Sequence, residues 1–293
     1  IFKCCDADCS GDINEHEAPH AFRALGVNPC CTALEQTKYD LNVSYPLSRV
    51  DFARMVQAMK NQHPHESCDR ELPHSIRGMT LGQLGHIAET YVKTGWLRDQ
   101  CEKYNCQNPQ ADFPQTANLY ALDVHVVKPL TRPGGSLARE QDMKFKFPRA
   151  AFKCSMAQLL NPHGLLVHYF VSHAWKHLFE STVQSLQKFS QQGSIQCLAS
   201  DIVFWICAFA LNQHRPQDEV GLSPEHGPFN AALSQAKLGA VMIVDKDAVT
   251  FERIWCLFEV HRLKALGKDF ELICDRGPLR DLPGKTPEDD DFV

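Results

Sequence analysis

One short stretch of this 293-residue chain, "DADCSGDINEHEAPH" at residues 6–20, holds two metal patterns that share a residue. Asp6, Asp8, Ser10, Asp12, Asn14 and Glu17 stand at the offsets of a loop that wraps calcium in oxygen ligands. Gly11 falls at the sixth position, where the turn needs a residue without a side chain. In such a loop Asp12 gives its backbone carbonyl, Asn14 acts directly or through water, and Glu17 closes the ring as a bidentate ligand. The same stretch also spells a zinc pattern, with His16, Glu17 and His20 in H-E-x-x-H order. Glu17 cannot serve both metals. The zinc site needs both histidines on one continuous helix, and Pro19 sits between them. No third zinc ligand is placed by spacing, and with 14 histidines in the chain a chance match is easy. An acidic turn without any metal is the third reading. We expect Glu17 to be a calcium ligand.

With their flanks, these residues resemble an EF-hand pair over residues 1–62. Phe2 precedes the loop, and Ala21, Phe22 and Leu25 give the following helix an apolar face. A second loop can be laid on "DLNVSYPLSRVD", residues 40–51. Asp40, Asn42 and Ser44 then take positions 1, 3 and 5, and Leu47 takes position 8, as Ile13 does in the first loop. Tyr45 stands where glycine belongs, and a left-handed conformation costs a residue with a side chain ~1–2 kcal/mol. Asp51 closes this loop one methylene shorter than Glu17 closes the first. The second hand is therefore expected to support the first and to bind calcium weakly or not at all. Phe52, Met55, Val56 and Met59 share a helix face, and Phe22, Met55 and Met59 are expected to line a groove that calcium opens.

These elements need a scaffold, and the bulk composition supplies one. Hydrophobic residues are 44% of the chain and charged residues 22%, which suits a globular protein with substantial cores. The length suggests about two ordinary domains. The net charge of -5 and the lack of a basic tract argue against nucleic acid as a partner. The 13 cysteines are scattered without a C-x-x-C pair, so they read as reduced thiols in an intracellular, cytoplasmic protein. No apolar run reaches the ~18 residues of a membrane span. The first residue is Ile1, which suggests a fragment.

The expected fold class is α+β and multidomain. Residues 1–62 form an all-α hand pair, residues 63–164 a linker and mixed connecting region, and residues 165–293 an α/β unit. In the connecting region, "NQHPHESCDRELPHS" reads as a linker, with His63, His65 and His74 as remote candidates for a metal. Leu81, Leu84, Ile87, Ala88 and Tyr91 predict a helix capped by Thr80. "NLYALDVHVVKPLT" reads as extended. This region resembles the middle part of protist proteins that carry a similar "NLY…KP" segment before an "FVSHAW" strand, a likeness that implies no activity.

From Leu165 onward, strands and helices alternate. "LLVHYFVSHAW", "DIVFWICAFAL", "AVMIVD" and "FELICD" read as strands. "LFESTVQSLQKF", "FNAALSQAK" and "FERIWCLFEVHRLKAL" read as helices. Alternation of this kind predicts a parallel sheet of flavodoxin-like type, which binds ligands beyond the carboxyl ends of its strands. Those ends lie near Ser172–His173, Asn212, His214, Asp245, Asp247 and Asp275. The order, with Ser172 at a strand end and Trp255, Cys256 and Glu259 spelling W-C-x-x-E, resembles the Toll/interleukin receptor (TIR) fold over residues 165–275. Ala174 and Trp175 depart from that pattern, and the fold's last strand and helix have no counterpart. The resemblance implies a domain that either assembles with a protein partner or cleaves NAD with the glutamate of that helix. An ordinary exposed polar position is the plain alternative for Glu259. Calcium-regulated signalling through a protein partner is the leading expectation, and NAD cleavage by Glu259 is the second.

Overall fold

The structure is a computed structural model that describes residues 10–15, 17–18, 21–22, 37–61, 71–111, 114–137, 149–162, 164–192, 199–220, 225–245 and 248–281. Short β-branched and aromatic runs build a mixed α/β arrangement on one six-stranded sheet. The strands are β1 (Met79–Thr80), β2 (Tyr169–Ser172), β3 (Val203–Trp205), β4 (Gly239–Ile243), β5 (Phe270–Cys274) and β6 (Gly277–Pro278). Their spatial order is β1-β3-β2-β4-β5-β6. The four inner strands run parallel, as the alternation predicts. Two antiparallel edge strands, β1 and β6, are added to them.

Successive side chains on a strand point to opposite faces, and the core divides accordingly. Phe170, Trp205 and Ala240 face Leu233 of the Pro228–Gln235 helix and Leu263 of the Ile254–Ala265 helix. Val171, Phe204, Val241 and Ile273 face Phe179 and Leu186 of the Phe179–Gln192 helix. Leu84, Leu122 and Leu130 join the same cluster. Residues of the connecting region therefore pack into the same core as the strands. Each such side chain contributes roughly 1.5–3 kcal/mol by burial.

Thr80 caps the Leu81–Ile87 helix in a reciprocal pair with Gln83, and Leu81, Leu84, Ile87, Ala88 and Tyr91 are buried as their spacing predicts. The reading of "NLYALDVHVVKPLT" as extended is overturned. The segment is helical at Leu119–Leu122 and Lys128–Thr131, with a π-helical turn at Asp123–Val127 between them. Asn118 caps it by accepting from Ala121 N–H at 3.1 Å. Leu119, Leu122, Val126 and Leu130 are buried at helical spacing, so packing outweighs the β-branched valines. "DIVFWICAFAL" is also corrected, because β3 stops at Trp205 and Cys207–Ala210 turns into a short helix. A wholly apolar run does not distinguish strand from buried helix.

A buried ion pair joins two distant segments of the core. Arg77 donates to Glu219 Oε2 at 2.6 Å and to the carbonyls of Leu72 and Ala210. Removing one partner of such a pair costs about 3–5 kcal/mol. His74 lies against Glu219 at 3.6 Å rather than in a metal cluster, while His63 and His65 fall outside the described residues.

In the N-terminal region, Ile13 and Leu47 form an antiparallel bridge with two backbone hydrogen bonds, at 2.8 and 2.7 Å. Ile13, Ala18, Ala21, Phe22, Leu47, Phe52, Met55 and Met59 make a separate small core. Phe22, Met55 and Met59, expected to line a groove that calcium opens, are packed inside it. The left-handed residue near the start of the second loop is Asn42, not Tyr45. Among the described residues, no helix is long and apolar enough to cross a membrane.

Candidate functional site

Where β2 and β3 end, the chain leaves a cavity of about 350 Å³. That volume falls within the ~300–1,000 Å³ typical of small-molecule sites. Beyond β2, His173 and Trp175 form one wall, and Cys207, just after β3, forms the next. The Ile254–Ala265 helix lays Trp255, Cys256 and Glu259 along a third side, and Phe229 stacks on Trp255 with ring centres 5.5 Å apart. Asp123 and Lys128 of the connecting region also line it. The cavity lies beyond the carboxyl ends of β2 and β3, where a parallel sheet is expected to take a ligand.

Glu259 is the chemically exceptional group. It is 4% exposed, so the plain reading of an exposed polar position is corrected. Burial pushes its carboxyl up to about 7, while nearby Ser172 and the Arg253 guanidinium pull in the other direction. Ser172 Oγ stands near that carboxyl, yet neither Oγ nor Glu259 Oε2 makes a hydrogen bond of good geometry. A buried carboxylate oxygen without a donor costs ~1–3 kcal/mol or more. Sites with such a penalty are functional candidates when they line a cleft.

A short relay stiffens the wall opposite. Trp175 Nε1–H donates to Cys207 Sγ at 3.2 Å, and Cys207 Sγ lies 3.8 Å from His173 Nε2. His173 Nδ1 lies 3.3 Å from the Val171 carbonyl, which can only accept, so Nδ1 carries the proton and Nε2 is left as acceptor. Burial lowers the His173 imidazole to about 4 and raises the Cys207 thiol to about 12. At neutral pH both groups are therefore uncharged. Arg253 fixes the backbone here by donating to the His173 carbonyl at 2.6 Å.

The strand-end residues singled out in the sequence divide. His173 lines the cavity, and Ser172 stands beside Glu259. His214 instead bonds Thr131 Oγ1 at 2.9 Å, and Asn212 turns to Glu71 and the Lys153 carbonyl. Asp245 and Asp275 are not in the lining, and Asp247 lies outside the described residues. Asp123, Lys128, Trp175, Cys207, Phe229 and Arg253 escaped the sequence reading. For Asp123 a signal was present: Asn118 as a cap, followed by leucine and valine at helical spacing.

Of the expected calcium ligands, Asp6 and Asp8 lie outside the described residues, as do His16 and His20 of the zinc pattern. Ser10, Asp12, Asn14 and Glu17 are described. Gly11 has φ +92° with open space around it, so its backbone conformation, not crowding, calls for glycine. Glu17 Oε2 accepts from Asn14 N–H, and Asn14 Oδ1 accepts from Glu17 N–H, both at 3.0 Å. At the matching positions of the second loop, Ser48 Oγ accepts from Asp51 N–H at 3.1 Å and donates to Asp51 Oδ2 at 2.8 Å, and Asp51 is also paired with Arg54 at 3.0 Å. Among the described residues, no three His, Cys, Asp or Glu side chains cluster as metal ligands.

Comparison with known proteins adds no neighbour: no family model matches the chain, and neither does any curated protein or solved structure.

Proposed function

We propose that this chain is a calcium-binding signalling protein with a TIR-like unit that cleaves the bond between nicotinamide and ribose in NAD, using Glu259. One observation carries the enzymatic part: a glutamate buried in a cavity at the strand ends, with its carboxyl pushed up to about 7 and one oxygen without a donor. A scaffold for protein contacts needs no such group.

The chemistry follows from the substrate. The C–N bond breaks with its electron pair going to the pyridinium ring, which leaves as neutral nicotinamide. The ribose carbon becomes an oxocarbenium ion, and an ionised Glu259 opposite it stabilises that charge. Water then adds to the carbon and releases a proton. Trp175, Trp255 and Phe229 offer flat apolar walls for the nicotinamide ring. His173, neutral at pH 7, adds no charge to repel the pyridinium cation. The test is to incubate the purified chain with NAD. Nicotinamide release that disappears in Glu259→Gln supports the reading, and no release by the wild-type chain defeats it.

The calcium part is supported by Gly11, by the Ile13–Leu47 bridge between matched loop positions, and by the side-chain caps of Asn14 on Glu17 N–H and of Ser48 on Asp51 N–H where both following helices start. Asp6 and Asp8 would complete an oxygen cage with Ser10, Asp12, Asn14 and Glu17, and calcium bound there would tie the loop to its exiting helix. The second loop commits Asp51 to Ser48 and Arg54, which favours one site over two. Calorimetry with calcium should give a stoichiometry near one, and two equal sites would overturn this assignment.

A further inference from the structure

The cavity holds a second buried carboxylate that the cleavage step does not use. Asp123 lies on the Leu119–Thr131 segment, outside the alternating strands and helices, and begins the π-helical turn Asp123–Val127. Such turns widen a helix locally and recur at functional sites. Asp123 is 6% exposed and lines the cavity with Glu259. Its Oδ2 accepts from Lys128 Nζ at 2.8 Å. Its Oδ1 is buried and makes no hydrogen bond. Burial pushes the carboxyl up, and Lys128 opposes that push. A purely structural ion pair would gain by satisfying both oxygens, because an unsatisfied buried acceptor bears its full desolvation penalty.

The unsatisfied oxygen fixes the chemistry of what it can take. A carboxylate paired to an ammonium is acceptor-only, so its partner must be a donor. Its negative charge disfavours phosphate. A sugar hydroxyl fits, as where an acidic side chain holds a ribose diol in dinucleotide sites. The ribose 2′- and 3′-hydroxyls sit on the same ring as the carbon that Glu259 would act on. We propose that Asp123, positioned by Lys128, is the ribose-hydroxyl subsite of this cavity, so that the protein selects ribonucleotides over their deoxy counterparts. This inference rests on the reading of the cavity as a nucleotide-glycoside site.

The test measures binding of nicotinamide mononucleotide and its 2′,3′-dideoxy counterpart by calorimetry, in a Glu259→Gln background that keeps the ligand intact. The ribose form should bind at least about tenfold tighter. Asp123→Asn should bring the two ligands within about twofold of each other. Lys128→Met, which leaves Asp123 in place but releases it, should reduce the preference less. Equal binding of the two ligands, binding of neither, or a preference that survives Asp123→Asn would overturn the subsite. Should Asp123→Asn fail to fold, the ligand preference of the parent chain and its decline in Lys128→Met decide the question. The two proposals fail separately. A ribose preference that depends on Asp123, without nicotinamide release by the wild-type chain, would sink the catalytic reading alone. Release lost in Glu259→Gln, without any ribose preference, would sink the subsite alone.

Discussion

Glu17 and Glu259 are buried to nearly the same degree, at 5% and 4% exposure, but their surroundings are opposite. Glu17 sits in the first turn of its helix and exchanges hydrogen bonds with Asn14, three residues away. Glu259 sits mid-helix in a cavity whose walls come from residues more than a hundred positions apart, and its Oε2 makes no hydrogen bond of good geometry although Ser172 Oγ stands near. The first glutamate is satisfied by its own neighbourhood and is suited to hold a structure or an ion. The second is held in a state its surroundings disfavour, which suits it to react. Burial alone does not distinguish the two; the presence or absence of a donor does.

The largest expected effect breaks this contrast at Glu259. Glu259→Gln should lower nicotinamide release by about 10²-fold or more. It should also leave the fold as stable or more so. Burial raises the Glu259 pKa in the folded chain to about 7, above its ordinary value, so the folded state holds a proton that the unfolded state has lost. Stability therefore falls as pH rises from the ordinary carboxylate range toward 7 and stays lower above it, by roughly 3 kcal/mol at most. Thermal melts should show the Glu259→Gln variant gaining more over wild type at pH 8 than at pH 5. A uniformly destabilised variant would point to a hydrogen bond that Glu259 does make.

The same carboxyl sets the pH profile. Cleavage needs the ionised form, so kcat/KM should rise with pH and level off above about 7. The kcat midpoint should lie lower, because a bound pyridinium cation favours the charge. A rate that instead falls as pH rises through this range would argue that Glu259 works as an acid.

Glu17→Ala tests the other side of the comparison. Calcium binding should be lost, and without calcium the lost bond from Asn14 N–H to the Glu17 carboxylate should cost the N-terminal region about 1 kcal/mol, while Asn14 still caps the residue-17 N–H. The smallest effect is expected from Asp51→Ala. It removes the carboxylate contacts to Ser48 Oγ and Arg54 but keeps the residue-51 N–H that Ser48 caps, so it should weaken the fold by ~0.5 kcal/mol or less, with the calcium stoichiometry unchanged. A halved stoichiometry would show that the second loop binds calcium after all.

What could be read from the sequence followed the range of the interactions. Thr80 with Gln83, and the row Leu81, Leu84, Ile87 and Tyr91, act within a turn or two, so spacing exposed them. Phe179, Val183, Leu186 and Phe189 did the same for the longest described helix. The parallel order also followed from alternation. The segment containing Asp123 was misread because Val124, Val126 and Val127 favour strands locally, while burial of Leu119, Leu122, Val126 and Leu130 decides for a helix. That error hid the carboxylate and the ammonium that the connecting region brings to the cavity. Edge strand β1 escaped because Met79 and Thr80 alternate over too few residues to announce it. Glu259 was visible as a candidate, but its burial depends on Trp175, Cys207 and Phe229, which no local spacing connects to it.

The buried thiols have a practical consequence for anyone handling this protein. Burial raises Cys207 to about 12 and Cys154 to about 11, and it raises Cys101 and Cys256 as well. Only thiolates are fast nucleophiles, so alkylating reagents and mild oxidants at neutral pH will find these four nearly inert. Among the described cysteines, Cys106 is exposed and will be labelled first, on a helix that contributes nothing to the cavity lining. A fluorophore placed there at neutral pH would report on the molecule while leaving its reactive chamber chemically untouched.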